Sequence, residues 1–555
     1  MPAVATTIEA GDDLPLTLPR LLRRSARLYA DQVFLVCDDA RITYAEVEAR
    51  SRVLARGLLA AGAAKGSHVA VLYPSGPGFV VAAYAAARIG AVVIPISTFS
   101  TADEIRWLLA NSDSGYLIAT PGFRSHNYET LLTTALPDLD FSKPPPLRSP
   151  IAPMLRRIWL DRPKPGGGDP GWTMADLKAG AASVDDAFLE AVEARVSPAD
   201  RLVIVHTSGS TSAPKGVMHT HGALIRHMVN LNEIRQYTPD VVLFSNSPFF
   251  WIGGFAYTLL GTLAAGGRLV CSNAVAPSEV LDLLERERPV MTNGYAQTVA
   301  RLAADPSFPS RDLSFIRRGN LYPIMPPEVR PRDIELRHGM WGMTETGSTC
   351  TTSSDEGDIP ERYRGSFGRF APGFQARVVD PETGKECAAG EVGELWMRGP
   401  FLMEGYYGKP RSTVFDAEGW FHSGDLAAID EAGFFYFKGR RGDMIKTAGA
   451  NVSPREVEAV LRELVGERQC NVLGVADRER GSIVVAIVVA EDDRDVDEAG
   501  LRQQLAKKLS SYKVPRRILR VAQAELPVMS SGKIDMRKLR DLASERVQPK
   551  NTAGS

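Results

Sequence analysis

Between Thr43 and Thr120 the chain alternates between short apolar runs and segments of helical pattern. HVAVLYP (68–74), AVVIPIS (91–97) and GYLIAT (115–120) have the length and the β-branched content of buried strands. The helices between them announce their own starts. Thr43-Tyr-Ala-Glu46 and Thr101-Ala-Asp-Glu104 each place a hydroxyl at the N-cap and a carboxylate three residues on, the two halves of a capping box. The first of these helices is expected to stop near Gly62. Strands joined through helices by short connections predict a parallel sheet covered by helices, hence an α/β fold with a large N-terminal domain.

Composition narrows the class further. A chain of 555 residues, 44% hydrophobic and 24% charged, has the makeup of a folded protein of two to four domains. Lys plus Arg number 65 against 66 for Asp plus Glu, so the net charge of −1 gives no reason to expect nucleic acid as a partner. The five cysteines are widely spaced, with no C-x-x-C, which suits a reducing compartment better than a disulfide framework. MPAVATTIEAGDD lacks the basic start and apolar run of a signal peptide. The most membrane-like stretch, 79–97, is interrupted by Arg88 and Gly90 and closed by Pro95, so a helix followed by a buried strand is expected there and no membrane segment. A cytoplasmic location is the expectation.

Residues 143–172 are rich in Pro and Gly and read as surface loop or insertion rather than core. The G-x-G-x-x-G pattern within them, Gly166 to Gly171, lacks the preceding strand and following helix that a dinucleotide site needs. After residue 441 a separate small α+β unit is expected to begin. Ser453-Pro-Arg-Glu456 opens a helix, VVAIVVAE (484–491) reads as a strand, and helices follow over 497–511 and after Asp535. The expected division is 1–441, 442–546 and a disordered tail at 547–555.

The densest chemical feature is Thr207-Ser-Gly-Ser-Thr-Ser-Ala-Pro-Lys215-Gly, directly after the strand-like RLVIVH. Hydroxyls, backbone N–H groups and one lysine on a Gly-containing loop offer what a polyphosphate needs. It is no Walker A loop, because Lys215 is followed by Gly and the spacing differs. GVMHTH after it reads as a second strand, so the phosphates would sit on a strand-to-strand loop rather than at a helix N-terminus.

With that loop the sequence resembles the adenylate-forming superfamily of acyl-CoA synthetases, adenylation domains and luciferases. Further motifs follow in order: Trp341-Gly-Met-Thr344-Glu345, Ser423-Gly-Asp425, GRRGDMIKTAGANVSPREVE (439–458) and Pro527-Val-Met-Ser-Ser-Gly-Lys533-Ile. The resemblance implies an α/β fold with a small mobile C-terminal lid, ATP, Mg²⁺ and coenzyme A as cofactors, and a carboxylic acid as substrate. It implies phosphate binding by Thr207, Ser208, Gly209, Ser210, Thr211 and Lys215, with Glu345 as the Mg²⁺ ligand beside Thr344. Trp341 would wall the adenine, and Asp425 and Arg440 would hold the ribose. Lys533 would bring a cation to the carboxylate and α-phosphate, Lys446 and Gly449 would serve thioester formation, and Gly442 would be the hinge.

The acyl side is expected from Phe250, Trp251 and Gly253, together with Gly319 and Asn320. Many relatives of this type carry His where Trp251 stands, and Gly-Gly-Ala where this chain has Arg318-Gly-Asn-Leu-Tyr322. No acidic residue occurs between Ser245 and Ala276, so a substrate ammonium would be buried unpaired. An apolar fatty, alicyclic or aromatic acid is therefore expected, rather than an α-amino acid. His206, His219, His221 and His227 cluster near the phosphate loop but lack Cys or carboxylate companions, and packing is expected of them before metal binding. The acceptor is expected to be coenzyme A; transfer to a carrier protein or an amine is the alternative, and a homodimer stays open.

Overall fold

The strand–helix alternation builds a parallel sheet. His68–Leu72 lies between Val92–Pro95 and Tyr116–Ala119, parallel to both, and Arg201–Thr207 continues the sheet beside Val92–Pro95. Seven strands in all make this sheet, with Lys215–Thr220 and Gly405–Tyr406 added as an antiparallel edge pair, and a second, of six, contains the strands Val33–Cys37, Val242–Ser245, Arg268–Cys271, Met291–Asn293 and Arg318–Gly319. A four-stranded antiparallel sheet with Gln375–Val379, Gly393–Arg398 and Phe421–Ile429 follows. This computed structural model describes residues 14–163, 170–207, 214–333, 336–337, 339–355, 357–440, 445–452, 454–466, 468–490, 496–527 and 534–547.

Both capping boxes are formed. Thr43 and Glu46 exchange side-chain-to-backbone bonds at the start of Tyr44–Ala60, and Thr101 and Glu104 do so at the start of Ala102–Asn111. The membrane-like stretch becomes the helix Pro77–Arg88 and then the strand Val92–Pro95. Among the described residues no helix is long and apolar enough to cross a membrane.

The chain divides into two compact units, with one boundary between Lys438 and Gly439; the smaller unit also takes in Phe99–Ile105 and Thr207–Lys215. In the smaller unit Gly481–Val489 pairs antiparallel with Cys470–Asp477 and parallel with Arg517–Val521. Its side chains alternate. Val484, Ala486 and Val488 pack toward the helices Pro454–Val465 and Glu498–Lys508, while Ile483, Val485 and Ile487 pack toward Met536–Val547. A strand buried on both faces explains its unbroken run of apolar residues.

One expectation is corrected. Residues 143–172 are not all surface loop: Arg157–Leu160 is an edge strand of the seven-stranded sheet, parallel to Tyr116–Ala119, and Trp159 and Trp172 are almost fully buried. Trp159 stacks on Tyr116 at 5.9 Å. The apolar run, Ile158 to Leu160, is only three residues long, too short to stand out against the prolines and glycines flanking it. The pattern at Gly166 lies largely outside the described residues, as does the tail beyond Val547.

Arg88, which broke the apolar stretch in the sequence, is wholly buried at the end of its helix. It donates to Glu193 at 2.6 Å, to Glu48 at 2.8 Å and to Ser51 at 3.1 Å. A buried charge is tolerated when it is paired and hydrogen-bonded, and removing one partner strands the others. Arg88→Leu should cost about 3–5 kcal/mol by denaturant titration, and Arg88→Leu combined with Glu193→Leu should cost less than the single change. A neutral Arg88→Leu would mean that this network does not hold the helix.

Candidate active site

Parallel strands end on the same edge of a sheet, and ligands bind outside their carboxyl ends. In the six-stranded sheet Val242–Ser245, Met291–Asn293 and Arg318–Gly319 are parallel neighbours, so Asn246, Gly294–Tyr295 and Asn320 emerge side by side. Two asparagines bind this edge together. Asn320 accepts from the Gly294 N–H at 3.0 Å and donates to its carbonyl at 2.9 Å. Asn246 accepts from the Tyr295 N–H at 2.9 Å and donates to its carbonyl at 3.0 Å. Gly319 sits at φ +124°, and a Cβ there would fall 2.0 Å from the Thr292 carbonyl oxygen, so only glycine fits.

Trp251 stands beside this edge, half-buried, edge-on to Phe250 at 5.5 Å and to Tyr295 at 5.8 Å. Burial pushes the Tyr295 hydroxyl up to about 12, so it stays neutral and donor-capable. The two glycines after Trp251 differ in their surroundings. A Cβ at Gly254 would strike the Pro248 carbonyl at 2.0 Å, whereas one at Gly253 would meet only Ser247 Oγ, at 3.9 Å. Gly254 permits packing and Gly253 leaves space. The residues expected on the acyl side thus form an aromatic wall with amide-fixed backbone around it.

The segment Trp341–Thr351 has little regular structure: two-residue strands, Gly342–Met343 and Ser348–Thr349, flank one short 3₁₀ turn. Groups from elsewhere in the larger unit fix it. His219 Nε2–H donates to the Thr344 carbonyl at 2.7 Å and His227 Nε2–H to the Thr349 carbonyl at 2.9 Å. The backbone N–H of Met403 donates to the Glu345 carbonyl at 2.8 Å. The Glu345 carboxylate is 6% exposed and accepts at Oε1 from the Tyr406 hydroxyl at 2.7 Å. Trp341 lies in the core between this segment and the antiparallel sheet, its ring 4.9 Å from Phe435. Asp425 is 3% exposed; its N–H donates to Ser423 Oγ, while the N–H of Gly424 donates to Glu394 at 2.9 Å.

In the smaller unit Lys446 is exposed on the hairpin of Ile445–Thr447 and Ala450–Val452. Both turn residues, Ala448 at φ +47° and Gly449 at φ +83°, are left-handed, as tight hairpin turns of the primed types require. Thr207 ends one strand and Lys215 begins its neighbour in the seven-stranded sheet. Ser208, Gly209, Ser210, Thr211, Gly442, Lys533 and the side chain of Arg440 lie outside the described residues.

The donor set suits a magnesium ion bound mainly through its phosphates. Glu345 offers one carboxylate with Oε1 already committed to Tyr406, and no cluster of three or more metal-ligating side chains exists among the described residues. The histidines are packing groups: His219 and His227 hold carbonyls, His221 Nδ1 accepts from the Leu18 N–H at 3.1 Å, and His206 lies edge-on to Trp107.

The family model of the AMP-binding enzyme matches residues 22–407, and that of the AMP-binding enzyme C-terminal domain matches 456–533. The chain belongs to the AMP-binding enzymes, the adenylate-forming superfamily, near its acyl-CoA ligases. A feruloyl-CoA synthase of Amycolatopsis is 32% identical over 89% of this chain and 92% of its own length. A mitochondrial medium-chain acyl-CoA ligase of Macaca fascicularis is 27% identical over 95% and 87%. Among solved structures, the amide bond synthetase McbA of Marinactinospora thermotolerans superposes with a TM-score of 0.76 at 26% identity, covering 94% of this chain and 99% of that one.

Sequence motifs did not single out Tyr406, Asn246 or the carbonyl-holding roles of His219 and His227, because each is defined by a partner distant in the chain. The histidines carry a measurable consequence. Burial pulls His219 and His221 down to about 4 and His227 to about 3, so all three fold as neutral rings. The unfolded chain protonates them below about pH 6.5. Stability is therefore complete above that pH and falls as pH drops toward 4, by about 1.4 kcal/mol per pH unit for each ring. Denaturant midpoints should fall between pH 7 and pH 5, and His227→Phe should flatten the slope by one ring; a level midpoint in the parent protein would show the rings protonate freely when folded.

Proposed function

We propose that this protein is an ATP-dependent carboxylic acid–CoA ligase for an acid with an apolar or aromatic body. As an AMP-binding ligase it works with ATP, Mg²⁺ and coenzyme A. In the first step a carboxylate oxygen of the acid attacks the α-phosphorus, the bond to the bridging oxygen breaks, and pyrophosphate leaves. In the second, the thiol gives up its proton and attacks the acyl carbon, releasing AMP.

The observation that carries this reading is the aromatic wall of Phe250, Trp251 and Tyr295, free of acidic residues from Ser245 to Ala276, in the same unit as the buried Glu345 segment. A substrate ammonium has no counterion in that acyl segment, while an apolar body packs against the rings. Glu345, held by Tyr406, supplies carboxylate oxygen to Mg²⁺, with Thr344 beside it; Asp425 and Arg440 take the ribose, and Trp341 walls the adenine. Thr207, Ser208, Gly209, Ser210, Thr211 and Lys215 cradle the phosphates. Gly253, Gly319 and Asn320 shape the acyl side. Lys533 serves adenylation, Lys446 and Gly449 the thioester step, and Gly442 is the hinge between them. The five free cysteines agree with a cytoplasmic setting.

The likeness to an amide bond synthetase favours one second reading, transfer of the acyl group to an amine. A panel of carboxylic acids with ATP and Mg²⁺, offered either coenzyme A or amines, separates the two by thioester or amide formed per AMP. Lys533→Ala should lower adenylation by about 10²–10³-fold, the usual effect of losing one donor to developing charge, yet still form thioester from supplied acyl-adenylate and coenzyme A. Equal loss of both half-reactions would overturn that division of labour.

A further inference from the structure

Arg88 and Arg235 are both buried in the larger unit, under opposite conditions. Arg88 has two carboxylates for company. Arg235, which caps the C-terminus of the helix His221–Ile234, is 6% exposed and has no ion-pair partner among the described residues. Its Nη2 donates to Asn232 Oδ1 at 2.5 Å, while Nε and Nη1 are buried without a hydrogen-bond partner there. Its guanidinium lies 3.9 Å from the centroid of the Tyr257 ring and 4.9 Å from that of Tyr237. Two aromatic faces and the negative end of its helix offset part of the lost hydration of a cation, but among the described residues no carboxylate pairs with it and two of its N–H donors find no acceptor. The sequence also keeps space for the head group: a Cβ at Gly261 would fall 2.8 Å from Nη2.

Tyr257 connects this cation to the acyl wall. It belongs to the helical segment Gly253–Leu260, which leads directly from Trp251, and its hydroxyl donates to Met340 Sδ at 3.5 Å, next to Trp341. Gly261 is ten residues beyond Trp251, at most about 15 Å along a helix. The guanidinium therefore packs on the helical segment that begins beside Trp251, within a length that the body of one acid can span.

We propose that Arg235 is a specificity residue that pairs with a second carboxylate on the substrate, at the end remote from the carboxylate that is activated. The substrates are then dicarboxylic acids with an apolar or aromatic middle: the middle packs against the rings and the far carboxylate neutralises Arg235. A hydroxyl or amide at that end would satisfy donors but leave the charge uncompensated in a buried site. This deepens the ligase reading and rests on its placement of the acyl group beside Trp251.

The test compares matched acids: hexanoate through dodecanoate against their α,ω-diacid counterparts, and cinnamate against 4-carboxycinnamate. Binding to the full-length protein is measured by calorimetry without ATP, and kcat/KM by pyrophosphate release and thioester formation. The best diacid should bind at least tenfold more tightly than its monoacid, with the same ordering in kcat/KM. Arg235→Met should erase or reverse that preference while keeping turnover of monoacids, and Arg235→Lys should retain part of it. A structural arginine would give the opposite result, lower stability with an unchanged ranking. No diacid preference in the parent protein, or a preference that survives in folded Arg235→Met, overturns the proposal. If acids bind with the expected preference but no thioester forms, the proposal stands and the coenzyme A reading fails; if monoacids are turned over and diacids are not preferred, the ligase reading stands and the proposal fails.

Discussion

The placement of Glu345 depends on neutral imidazoles buried in the larger unit. Trp341–Thr351 contributes almost no ladder of its own, yet it must hold a carboxylate at a fixed point in a largely dry surrounding. Backbone carbonyls so buried need donors, and His219 and His227 provide them through Nε2–H at Thr344 and Thr349. Protonation would add a second N–H that has no acceptor among the described residues, since Nδ1 of both rings is buried and unpartnered there. Neutrality of these rings, the turn at Thr344, and the Tyr406-to-Glu345 bond are thus one arrangement.

The edge proposed to hold the acyl group is rigid for a different reason. Asn246 and Asn320 each satisfy both backbone groups of one residue, so three strand ends are tied by side chains where the sheet ladder stops. Gly319 and Gly254 allow close backbone approach, and Gly253 leaves room beside Trp251. A wall fixed by amides and lined by rings favours a substrate with a flat or extended apolar body.

Much of this was legible in the sequence wherever the signal was local. The capping boxes at Thr43 and Thr101 and the three runs from 68 to 120 sufficed for the parallel α/β core. The order of the motifs sufficed for the family. Arg157–Leu160 escaped notice because three apolar residues cannot outweigh their Pro- and Gly-rich flanks. Tyr406 and Arg235 escaped for a deeper reason. A tyrosine in the two-residue strand Gly405–Tyr406 and an arginine at a helix end look ordinary until the fold brings Glu345 to one and leaves the other without a counterion among the described residues. Gly449 shows the reverse: the turn itself explains it, since its positive φ closes a two-residue hairpin whatever passes beside it.

In the proposed function the buried Glu345 carboxylate is where this fold meets the magnesium of its nucleotide. The most direct test of that contact is pyrophosphate release by folded Glu345→Gln across a range of Mg²⁺ concentrations, beside the parent protein. The side chain keeps its shape and its contact with Tyr406 but loses its charge, so the Mg²⁺ concentration for half-maximal rate should rise at least tenfold. An unchanged Mg²⁺ dependence would move the metal away from Glu345.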